Sequence, residues 1–350
     1  MSGDRPDVLL LSLGTTLGWV VSDGLFVEQL RDAGLSVEPV SVGIGASGRL
    51  RRAYPVTDLV EAAAARRALS SALRRHSPRA VVISSTTAAM LADTGGLPYA
   101  VRLDAPARLN RPGARNAGLH ALERRALARA RLVLPWSEAA GAALPRGHAP
   151  AVVVPPPIER SGEAPWKRER LAVAYTPDVK AKGLDLVCGA WATARIRDIR
   201  LEVFGVESEP AVAHLRRTGT PIPVGVEFRG KTAPEEFRAA LRRARVFAGG
   251  ARWEDYGQAP LEALADGALL ATVPSGGPFE ALALARRLAP ELVAQAVAPE
   301  SLAVALRAAF ELPEQSVASY RERAAESLER FRPDAIARTI AAEVVPALLA

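Results

Sequence analysis

Short apolar runs that alternate with amphipathic segments constrain the fold of this chain more than any other feature. The first run, Val8–Leu13, is apolar apart from one serine, and its length fits a parallel strand that is buried on both faces. Helical patterns separate it from further predicted strands, which lie at Leu35–Val42, Ala80–Ser84, Tyr99–Leu103 and Arg131–Pro135. Strands and helices in this alternating order predict an α/β fold with a doubly wound parallel sheet.

The alternation starts again after a proline-rich segment, which predicts a second domain. A polar stretch with little periodicity follows Pro155–Pro157, as is typical of a linker. The next predicted strands lie at Leu171–Tyr175, Arg200–Phe204, Val226–Arg229, Val246–Ala248 and Ala268–Val273. We therefore predict two Rossmann-like domains at residues 1–158 and 171–332, a linker at 159–170 and a C-terminal helix at 333–350 that packs toward the N-terminal domain. A chain of 350 residues is long enough to bury two cores.

The net charge of +7, from 45 basic and 38 acidic side chains, favours acidic partners such as nucleotide phosphates or anionic lipid. Much of the excess lies in two arginine-rich helical patterns at Glu61–His76 and Gly118–Leu132. A solvated helix face is the simpler interpretation, and contact with an anionic membrane surface is the alternative. Nucleic acid is not expected as a partner, because aromatic residues are not interleaved with the basic ones.

The apolar run near the N-terminus is too short for a signal peptide or a membrane span. We therefore expect a cytoplasmic protein, with peripheral attachment to the inner face of the membrane as the alternative. The single cysteine, Cys188, falls at an apolar helical position. This position predicts a buried thiol, and one cysteine excludes a disulfide within the chain.

The segment Gly249–Gly267 carries the strongest functional signal in the sequence. Pro260 suits the first turn of a helix, so the residues just before it are predicted to present free backbone amides and the positive end of a helix dipole. Glu254 and Glu262 flank this helix start and are eight positions apart. A carboxylate accepts two hydrogen bonds from a vicinal diol, and sugars and ribose both offer one. The pattern predicts a site for an anionic ligand with sugar hydroxyls.

This Glu-x7-Glu segment resembles the signature of the retaining glycosyltransferases of family 4 (group 1), whose GT-B fold has two Rossmann-like domains facing a cleft. The resemblance implies that Glu254 holds the transferred sugar and that Glu262 binds the ribose diol of a nucleotide-sugar donor. It also implies donor contacts from the residues after the first glutamate: Asp255, Tyr256, Gly257 and Gln258. By the same resemblance, transfer retains the anomeric configuration and needs no metal or other cofactor. The sequence has no Asp-x-Asp motif and no histidines at metal-ligand spacing.

A lysine near the start of the second domain resembles the family's diphosphate-binding helix start. Lys182 precedes Gly183 soon after the first strand of this domain, and a cation at a helix N-terminus can stabilise phosphate charge as the leaving group forms. Lys182 is therefore predicted to be catalytic beside Glu254. The family has an arginine a few residues earlier, where this chain reads Thr176-Pro-Asp, and Lys180 is the predicted substitute.

Two loops of the first domain supply further candidates. One occupies the place of the family's glycine loop, which faces the donor phosphates, and a simple strand-to-helix turn explains it equally well; its residues are Gly14, Thr15, Thr16 and Gly18. The other follows the strand at Tyr99–Leu103, where α/β sheets bind ligands, and its acceptor-side candidates are Arg102, Asp104, Asn110 and Arg111. The family often has a histidine here that contacts the transferred sugar, and this chain offers Asp104 or Arg102 instead, so Asp104 is also a catalytic candidate. A structural salt bridge is the alternative for this loop.

The sequence thus predicts a hexosyltransferase-like enzyme that moves a sugar from a nucleotide-diphosphate sugar to an acceptor hydroxyl. The acceptor is left open among glycans, lipids and small molecules, and so are the base and the sugar of the donor. A nucleotide-sugar epimerase of the same fold and a non-catalytic basic scaffold are the alternative interpretations.

Overall fold

The computed structural model describes residues 5–43, 55–163, 165, 168–196 and 198–350. The chain forms two compact units. Unit 1 contains Met1–Pro157 and Phe331–Ala350, and unit 2 contains Ile158–Arg330. Residues 1–4, and residues 164, 166 and 167 of the predicted linker, lie outside the described ranges.

Unit 1 is built on a five-stranded parallel sheet. Its strands are β1 (Val8–Ser12), β2 (Val37–Ser41), β3 (Ala80–Ser84), β4 (Tyr99–Leu103) and β5 (Leu132–Pro135), in the spatial order β2-β1-β3-β4-β5. The order reverses between β1 and β3. The carboxyl ends of these two strands therefore form the topological switch point, which is where open α/β sheets bind ligands.

Helices cover both faces of this sheet. They are α1 (Leu17–Asp32), α2 (Val56–Arg75), α3 (Thr86–Ala89), α4 (Ala107–Asn110), α5 (Ala117–Arg129) and α6 (Glu138–Ala142). Leu9 and Leu11 of β1 pack in one apolar cluster, and Val8 and Leu10 pack in another, because successive side chains of a strand point to opposite faces. The first apolar run is therefore a doubly buried strand, as predicted.

The first helix begins earlier than the sequence pattern indicates. The predicted loop extends to Gly18, whereas α1 begins at Leu17 and is capped by Thr16, whose Oγ1 accepts a hydrogen bond from the N–H of Trp19 at 3.3 Å. Gly18 therefore lies in the helix and not in a glycine loop. The start of α1 leaves little amphipathic signal, because Val20 is 51% exposed.

Unit 2 repeats this plan with a second five-stranded parallel sheet. Its strands are β6 (Glu169–Tyr175), β7 (Arg200–Phe204), β8 (Val226–Gly230), β9 (Ala244–Gly249) and β10 (Leu269–Thr272), in the order β10-β9-β6-β7-β8. The chain changes direction across the sheet between β6 and β9. The switch point of unit 2 therefore lies at the carboxyl ends of these two strands.

The helices of unit 2 include two that the sequence pattern does not predict, the last two of the series. The series is α7 (Leu184–Ala194), α8 (Ser208–Thr218), α9 (Pro234–Arg243), α10 (Gln258–Ala265), α11 (Glu280–Leu288), α12 (Pro299–Glu311) and α13 (Glu314–Leu328). Cys188 is buried in α7, as predicted. Across the described parts of the chain, no helix is long and apolar enough to cross a membrane.

The C-terminal segment packs on unit 1. It consists of α14 (Pro333–Thr339), a π-helical turn (Ile340–Val344) and α15 (Val345–Leu349). Ile336, Ile340, Val344 and Leu348 are buried in the cluster that also holds Leu10 of β1. Their spacing of four residues places them on one helix face, so this face covers the sheet of unit 1.

Two glycines allow the loop after β9 to cross the start of α7. Gly183 precedes α7 with a left-handed φ of 64°, and a Cβ atom there would overlap the carbonyl oxygen of Gly250. A Cβ atom on Gly250 would in turn lie 2.7 Å from Cγ2 of Val187 and 2.8 Å from the carbonyl oxygen of Gly183. A side chain at either position would push apart the loops that follow β6 and β9.

We expect Gly183→Ala to destabilise the protein by about 3 kcal/mol, because it combines left-handed strain with overlap against rigid backbone. Gly219→Ala is the matched control: Gly219 follows α8 with a φ of 68°, and a Cβ atom there meets nothing within 4 Å. The control should cost about 1 kcal/mol. Urea unfolding followed by circular dichroism measures both losses, and equal losses would contradict the packing role of Gly183.

Candidate functional site

Lys182 and Glu254 form an ion pair at the switch point of unit 2. Lys182 follows β6, Glu254 follows β9, and Nζ of the lysine lies 2.6 Å from Oε2 of the glutamate. Glu254 is 7% exposed, whereas the Lys182 side chain is 30% exposed. Burial raises the pKa of the Glu254 carboxyl, and the ammonium of Lys182 lowers it in part. Two of the three residues that the sequence marks as catalytic candidates, Lys182 and Glu254, are thus in direct contact, although they are 72 positions apart.

A turn built on Asp178 positions Lys182. Its Oδ1 atom accepts hydrogen bonds from the backbone N–H groups of Lys180, at 3.0 Å, and Ala181, at 2.8 Å. Its carbonyl oxygen accepts from the N–H of Lys182 at 2.9 Å. The N–H of Arg252 donates to the carbonyl oxygen of Ala181 at 3.0 Å, which ties this turn to the loop after β9. Backbone hydrogen bonds therefore fix the two loops against each other.

Arg252 is a cation of this site that no sequence motif indicates. Its guanidinium donates to both carboxylate oxygens of Asp185, at 3.0 and 2.6 Å, and to the carbonyl oxygen of Lys180 at 3.1 Å. The hydrogen bond to Asp185 raises the pKa of Arg252. Burial raises the pKa of Asp185, but the hydrogen bonds and charge of Arg252, together with the hydrogen bond from His214, lower it overall. Arg252 thus places a second positive charge beside the turn that carries Lys182. Lys180 is exposed, and its predicted role in phosphate binding stays a prediction.

Glu262 lies in α10 beside two polar side chains. Nε2 of Gln258 donates to Oε1 of Glu262 at 3.2 Å, and the guanidinium of Arg238, on α9, lies 3.8 Å from the same oxygen. Burial raises the pKa of Glu262, and Arg238 lowers it in part. Arg238 also donates to the buried Asp266 at 2.6 Å, so its position is fixed. Arg238 belongs to a separate helix and carries no motif of its own, which is why the sequence pattern does not indicate it.

The loop between the two glutamates has free backbone amides. Gly257, with a φ of 87°, caps α10, and a Cβ atom there would overlap the ring of Phe279. Among the described residues, the N–H groups of Gly257, Gln258 and Ala259 donate no hydrogen bond to a backbone acceptor outside the helix, and no side chain caps the helix. These donors lie at the positive end of the helix dipole. The local structure that Pro260 predicts for this helix start is therefore present.

A glycine turn after β10 braces this loop. The N–H of Glu254 donates to the carbonyl oxygen of Gly276 at 3.0 Å, and the N–H of Gly276 donates to the carbonyl oxygen of Arg252 at 3.2 Å. The N–H of Glu280 donates to the carbonyl oxygen of Tyr256 at 3.1 Å. Tyr256 is 3% exposed, so only its backbone atoms are candidates for the predicted donor contact. The loop is thus held mainly through main-chain atoms.

In unit 1, the predicted glycine loop lies at the switch point of the first sheet. Gly14 has a φ of 57°, and its N–H donates to Oγ of Ser12 at 3.2 Å. Oγ of Ser12 donates in turn to Asp23 at 2.5 Å. Gly14, Thr15 and Thr16 are exposed, and their predicted contact with the donor stays a prediction.

Arg102 is buried in the core, contrary to its predicted place among the acceptor contacts. Its side chain is 1% exposed, and its guanidinium donates to Asp23 at 2.5 Å and to Ser22 at 3.0 Å. Its central carbon lies 4.2 Å from the ring centroid of Phe26 and 5.6 Å from that of Trp136. Burial lowers the pKa of Arg102 to about 10, and Asp23 raises it in part, so the group stays charged at neutral pH. The structural salt bridge is therefore the correct interpretation of Arg102.

The other acceptor-side candidates are less enclosed. Asp104 is partly exposed, and its Oδ1 accepts a hydrogen bond from the N–H of Ala105 at 2.7 Å. Arg111 is paired with Asp58 at 3.3 Å, and Asn110 is partly exposed at the end of α4. Their roles as acceptor contacts stay predictions.

The sequence of unit 2 matches a known family. Residues 159–327 match the family described as Glycosyl transferases group 1. The matched range includes Lys182, Glu254 and Glu262. A comparison of the sequence with curated proteins gave no significant match.

Several solved structures share the fold of this chain at low sequence identity. Sucrose-phosphate synthase from Thermosynechococcus elongatus is 16% identical with a TM-score of 0.74, and the match covers 96% of this chain and 97% of that one. HepE from Anabaena, in complex with UDP and glucose, is 16% identical with a TM-score of 0.70 and coverages of 98% and 100%. The UDP-forming α,α-trehalose-phosphate synthase from Burkholderia xenovorans, in complex with glucose-6-phosphate, is 12% identical with a TM-score of 0.62 and coverages of 80% and 76%. The predicted GT-B fold is therefore confirmed.

We expect Lys182→Met to destabilise the protein in a pH-dependent way, because it leaves the buried Glu254 carboxylate without its cation. The expected loss is about 3 kcal/mol of unfolding free energy near pH 8. The folded pKa of Glu254 already lies above its ordinary value of 4.5, and removal of the ammonium raises it further. A raised folded pKa contributes stability below the unfolded pKa, and this stability is lost as the pH rises through the folded pKa. The loss should therefore be smaller near pH 5 than near pH 8.

Urea unfolding at the two pH values measures this effect. Lys231→Met, at an exposed lysine of the same unit, is the matched control and should change stability little at either pH. Equal losses for Lys182→Met at both pH values would show that the ion pair is not the source of the destabilisation.

Proposed function

We propose that this protein is a retaining glycosyltransferase that moves a sugar from a nucleotide-diphosphate sugar to an acceptor hydroxyl without a metal ion. The observation that supports this most is the Lys182–Glu254 pair at the switch point of unit 2, in a loop that continues into the free amides at the start of α10. The arrangement combines a cation for a diphosphate with a carboxylate and backbone donors for sugar hydroxyls.

Lys182 binds the diphosphate of the donor in this proposal. Its side chain is partly exposed and lies just before α7, where the helix dipole also favours negative charge. Phosphate oxygens compete with Glu254 for the ammonium, and the carboxylate is then released to accept hydrogen bonds from the sugar. Negative charge grows on the phosphate oxygen as its bond to the sugar breaks, and a fixed ammonium stabilises that charge.

Two carboxylates bind the two sugar rings of the donor. Glu254 and the amides of Gly257 and Gln258 bind the transferred sugar, and Glu262 binds the ribose diol. The guanidinium of Arg238, 3.8 Å from Glu262, favours the ionised form of that carboxylate. An ionised carboxylate accepts hydrogen bonds from both hydroxyls of a diol.

The proposed transfer retains the anomeric configuration. The acceptor oxygen forms a bond to the anomeric carbon on the face from which the diphosphate leaves. The bond from that carbon to the phosphate oxygen breaks, and a phosphate oxygen takes the proton of the acceptor hydroxyl. No side chain has to act as a general base, which suits a site whose buried acid is paired with a lysine. The resemblance of the Glu-x7-Glu segment to retaining enzymes supports this stereochemistry.

The structural neighbours support the classes of donor and acceptor. HepE was solved with UDP-glucose, and the Burkholderia synthase with glucose-6-phosphate. We infer a nucleotide-linked hexose as donor and a hydroxyl of a glycan, lipid or small molecule as acceptor. In unit 1 the donor-side candidates are Gly14, Thr15 and Thr16, and the acceptor-side candidates are Asp104, Asn110 and Arg111. We place the enzyme in the cytoplasm, with peripheral contact to an anionic membrane as the alternative.

Donor binding tests the proposal, because it requires no knowledge of the acceptor. We expect calorimetry with UDP-, GDP-, ADP- and TDP-sugars to show saturable binding of one base class. Glu262→Ala should weaken that binding at least about tenfold, through loss of a charged acceptor for the ribose diol. Glu235→Ala, at an exposed glutamate of α9, is the matched control and should bind like the wild type. Absence of binding by a folded wild-type protein, or unchanged binding by Glu262→Ala, would overturn the donor site.

Removal of metal should leave the reaction intact, because Lys182 and backbone amides supply the positive charge at the leaving group. Once a donor is known, transfer or donor hydrolysis measured with excess EDTA should match the rate with added magnesium or manganese. Glu254→Ala should lower that rate at least about a hundredfold in both conditions. A rate that disappears with EDTA and returns with one metal would contradict the metal-independent scheme.

A further inference from the structure

Trp253 lies between Arg252 and Glu254, and the glycine turn after β10 fixes its ring. Its backbone forms a parallel bridge with Gly276. A Cβ atom on Gly276 would lie 2.9 Å from Cε3 of the indole ring, and one on Gly277 would lie 3.0 Å from Cε2. The ring therefore packs directly against two glycines, and its position depends on the absence of side chains there.

The indole nitrogen of Trp253 holds the carboxylate of Asp255. Its Nε1–H donates to Oδ1 of Asp255 at 2.8 Å, and both residues are partly exposed. Asp255 is close enough to Glu254 for its charge to contribute to the raised pKa of that carboxyl, after burial, the main cause. Two acids therefore stand side by side in this loop. Lys182 pairs with one of them, and a neutral indole donor orients the other.

An oriented carboxylate that keeps its charge is a strong acceptor for sugar hydroxyls. Indole is a neutral donor that contacts one oxygen of Asp255, so the second oxygen keeps its lone pairs for other donors. A bidentate arginine would have occupied both oxygens. A site built to accept a hydrogen bond from a hydroxyl discriminates against a sugar that lacks this hydroxyl, because the acceptor is then left without a partner.

We propose that Trp253 is a positioning residue that aims Asp255 at a hydroxyl of the transferred sugar and thereby sets the sugar selectivity of the donor site. The inference rests on the proposed function and adds a selectivity to it: the site favours sugars with a free hydroxyl facing Asp255 over their deoxy counterparts. The nucleoside diphosphate does not contact Asp255 in this proposal, because Lys182 and Glu262 bind that part of the donor.

Trp253→Phe isolates the role of the indole N–H, because phenylalanine keeps an aromatic ring against the glycines and removes the donor. Calorimetry compares UDP-glucose, GDP-mannose, ADP-glucose and TDP-glucose with their free nucleoside diphosphates, on wild type and variant. We expect the variant to bind the accepted nucleotide sugar about tenfold more weakly and the free diphosphate unchanged. With monodeoxy analogues of the same donor, the wild type should reject one analogue, and the variant should lose about tenfold of this discrimination.

Trp191→Phe is the matched control, because Trp191 is buried in α7 of the same unit and packs against Phe310. It should leave the ratio of the two affinities unchanged even if stability falls. In an Asp255→Ala background, Trp253→Phe should cause no further loss of nucleotide-sugar affinity, because both changes remove the same oriented carboxylate.

The inference is overturned if Trp253→Phe leaves the ratio of nucleotide-sugar to diphosphate affinity unchanged, or if its effect adds in full to that of Asp255→Ala. If the wild type binds the nucleotide sugar, either of these outcomes overturns the role of Trp253 and leaves the proposed function intact. A wild type that binds neither diphosphate nor nucleotide sugar would overturn both.

Discussion

The candidate site of unit 2 depends on a charge pair held where two loops cross. Moving a carboxylate and an ammonium out of water costs several kcal/mol for each ion, and their attraction offsets this cost only when their geometry is fixed. Lys182 and Glu254 meet this condition because Gly183 and Gly250 let their loops pack backbone against backbone. Asp178 accepts three hydrogen bonds from the backbone of residues 180–182, and these bonds fix the position of the Lys182 backbone. Gly183 and Gly250 therefore determine the distance between the two charges as well as the packing of the two loops.

A second buried pair shows how exposure separates a structural charge from an available one. Arg102 and Asp23 are as close as Lys182 and Glu254, but their side chains are only 1% and 6% exposed, and the arginine is enclosed further by aromatic rings. Such a pair is enclosed in the core and is not accessible to a ligand. The Lys182 side chain keeps 30% of its surface, so a phosphate can replace its carboxylate partner. Both pairs involve residues near the carboxyl ends of parallel strands, so position in the fold alone does not decide between the two roles.

The loop from β9 to α10 brings together several kinds of hydrogen-bonding group within one short segment. It contains a carboxylate paired with a lysine, a carboxylate oriented by an indole, and backbone amides at a helix start. Main-chain bonds to the neighbouring glycine turn hold this loop. Solved structures that are only 16% identical share the fold, which fits a framework specified by apolar periodicity and backbone geometry, since neither requires particular side chains at most positions.

The sequence by itself determined the features that depend on near neighbours. The apolar run of β1 specified a doubly buried strand, Pro260 specified a helix start with free amides, and the spacing of Glu254 and Glu262 placed both acids at that start. These follow from the periods of strands and helices and from the missing N–H of proline. The exposed valines at the start of α1 give no such period, and its first turn could not be predicted.

Only the tertiary structure decided which side chains meet. The pairs Lys182–Glu254 and Arg252–Asp185 join segments that follow different strands. The enclosure of Arg102 depends on residues of β3, α1 and the loop after β5. The hydrophobic periodicity of a segment indicates whether it is a helix or a strand, but it does not indicate which other segment packs against it. The partner and the burial of a charge are therefore set where backbones cross, and the physical reason is that desolvation and ion pairing depend on distance in space and not along the chain.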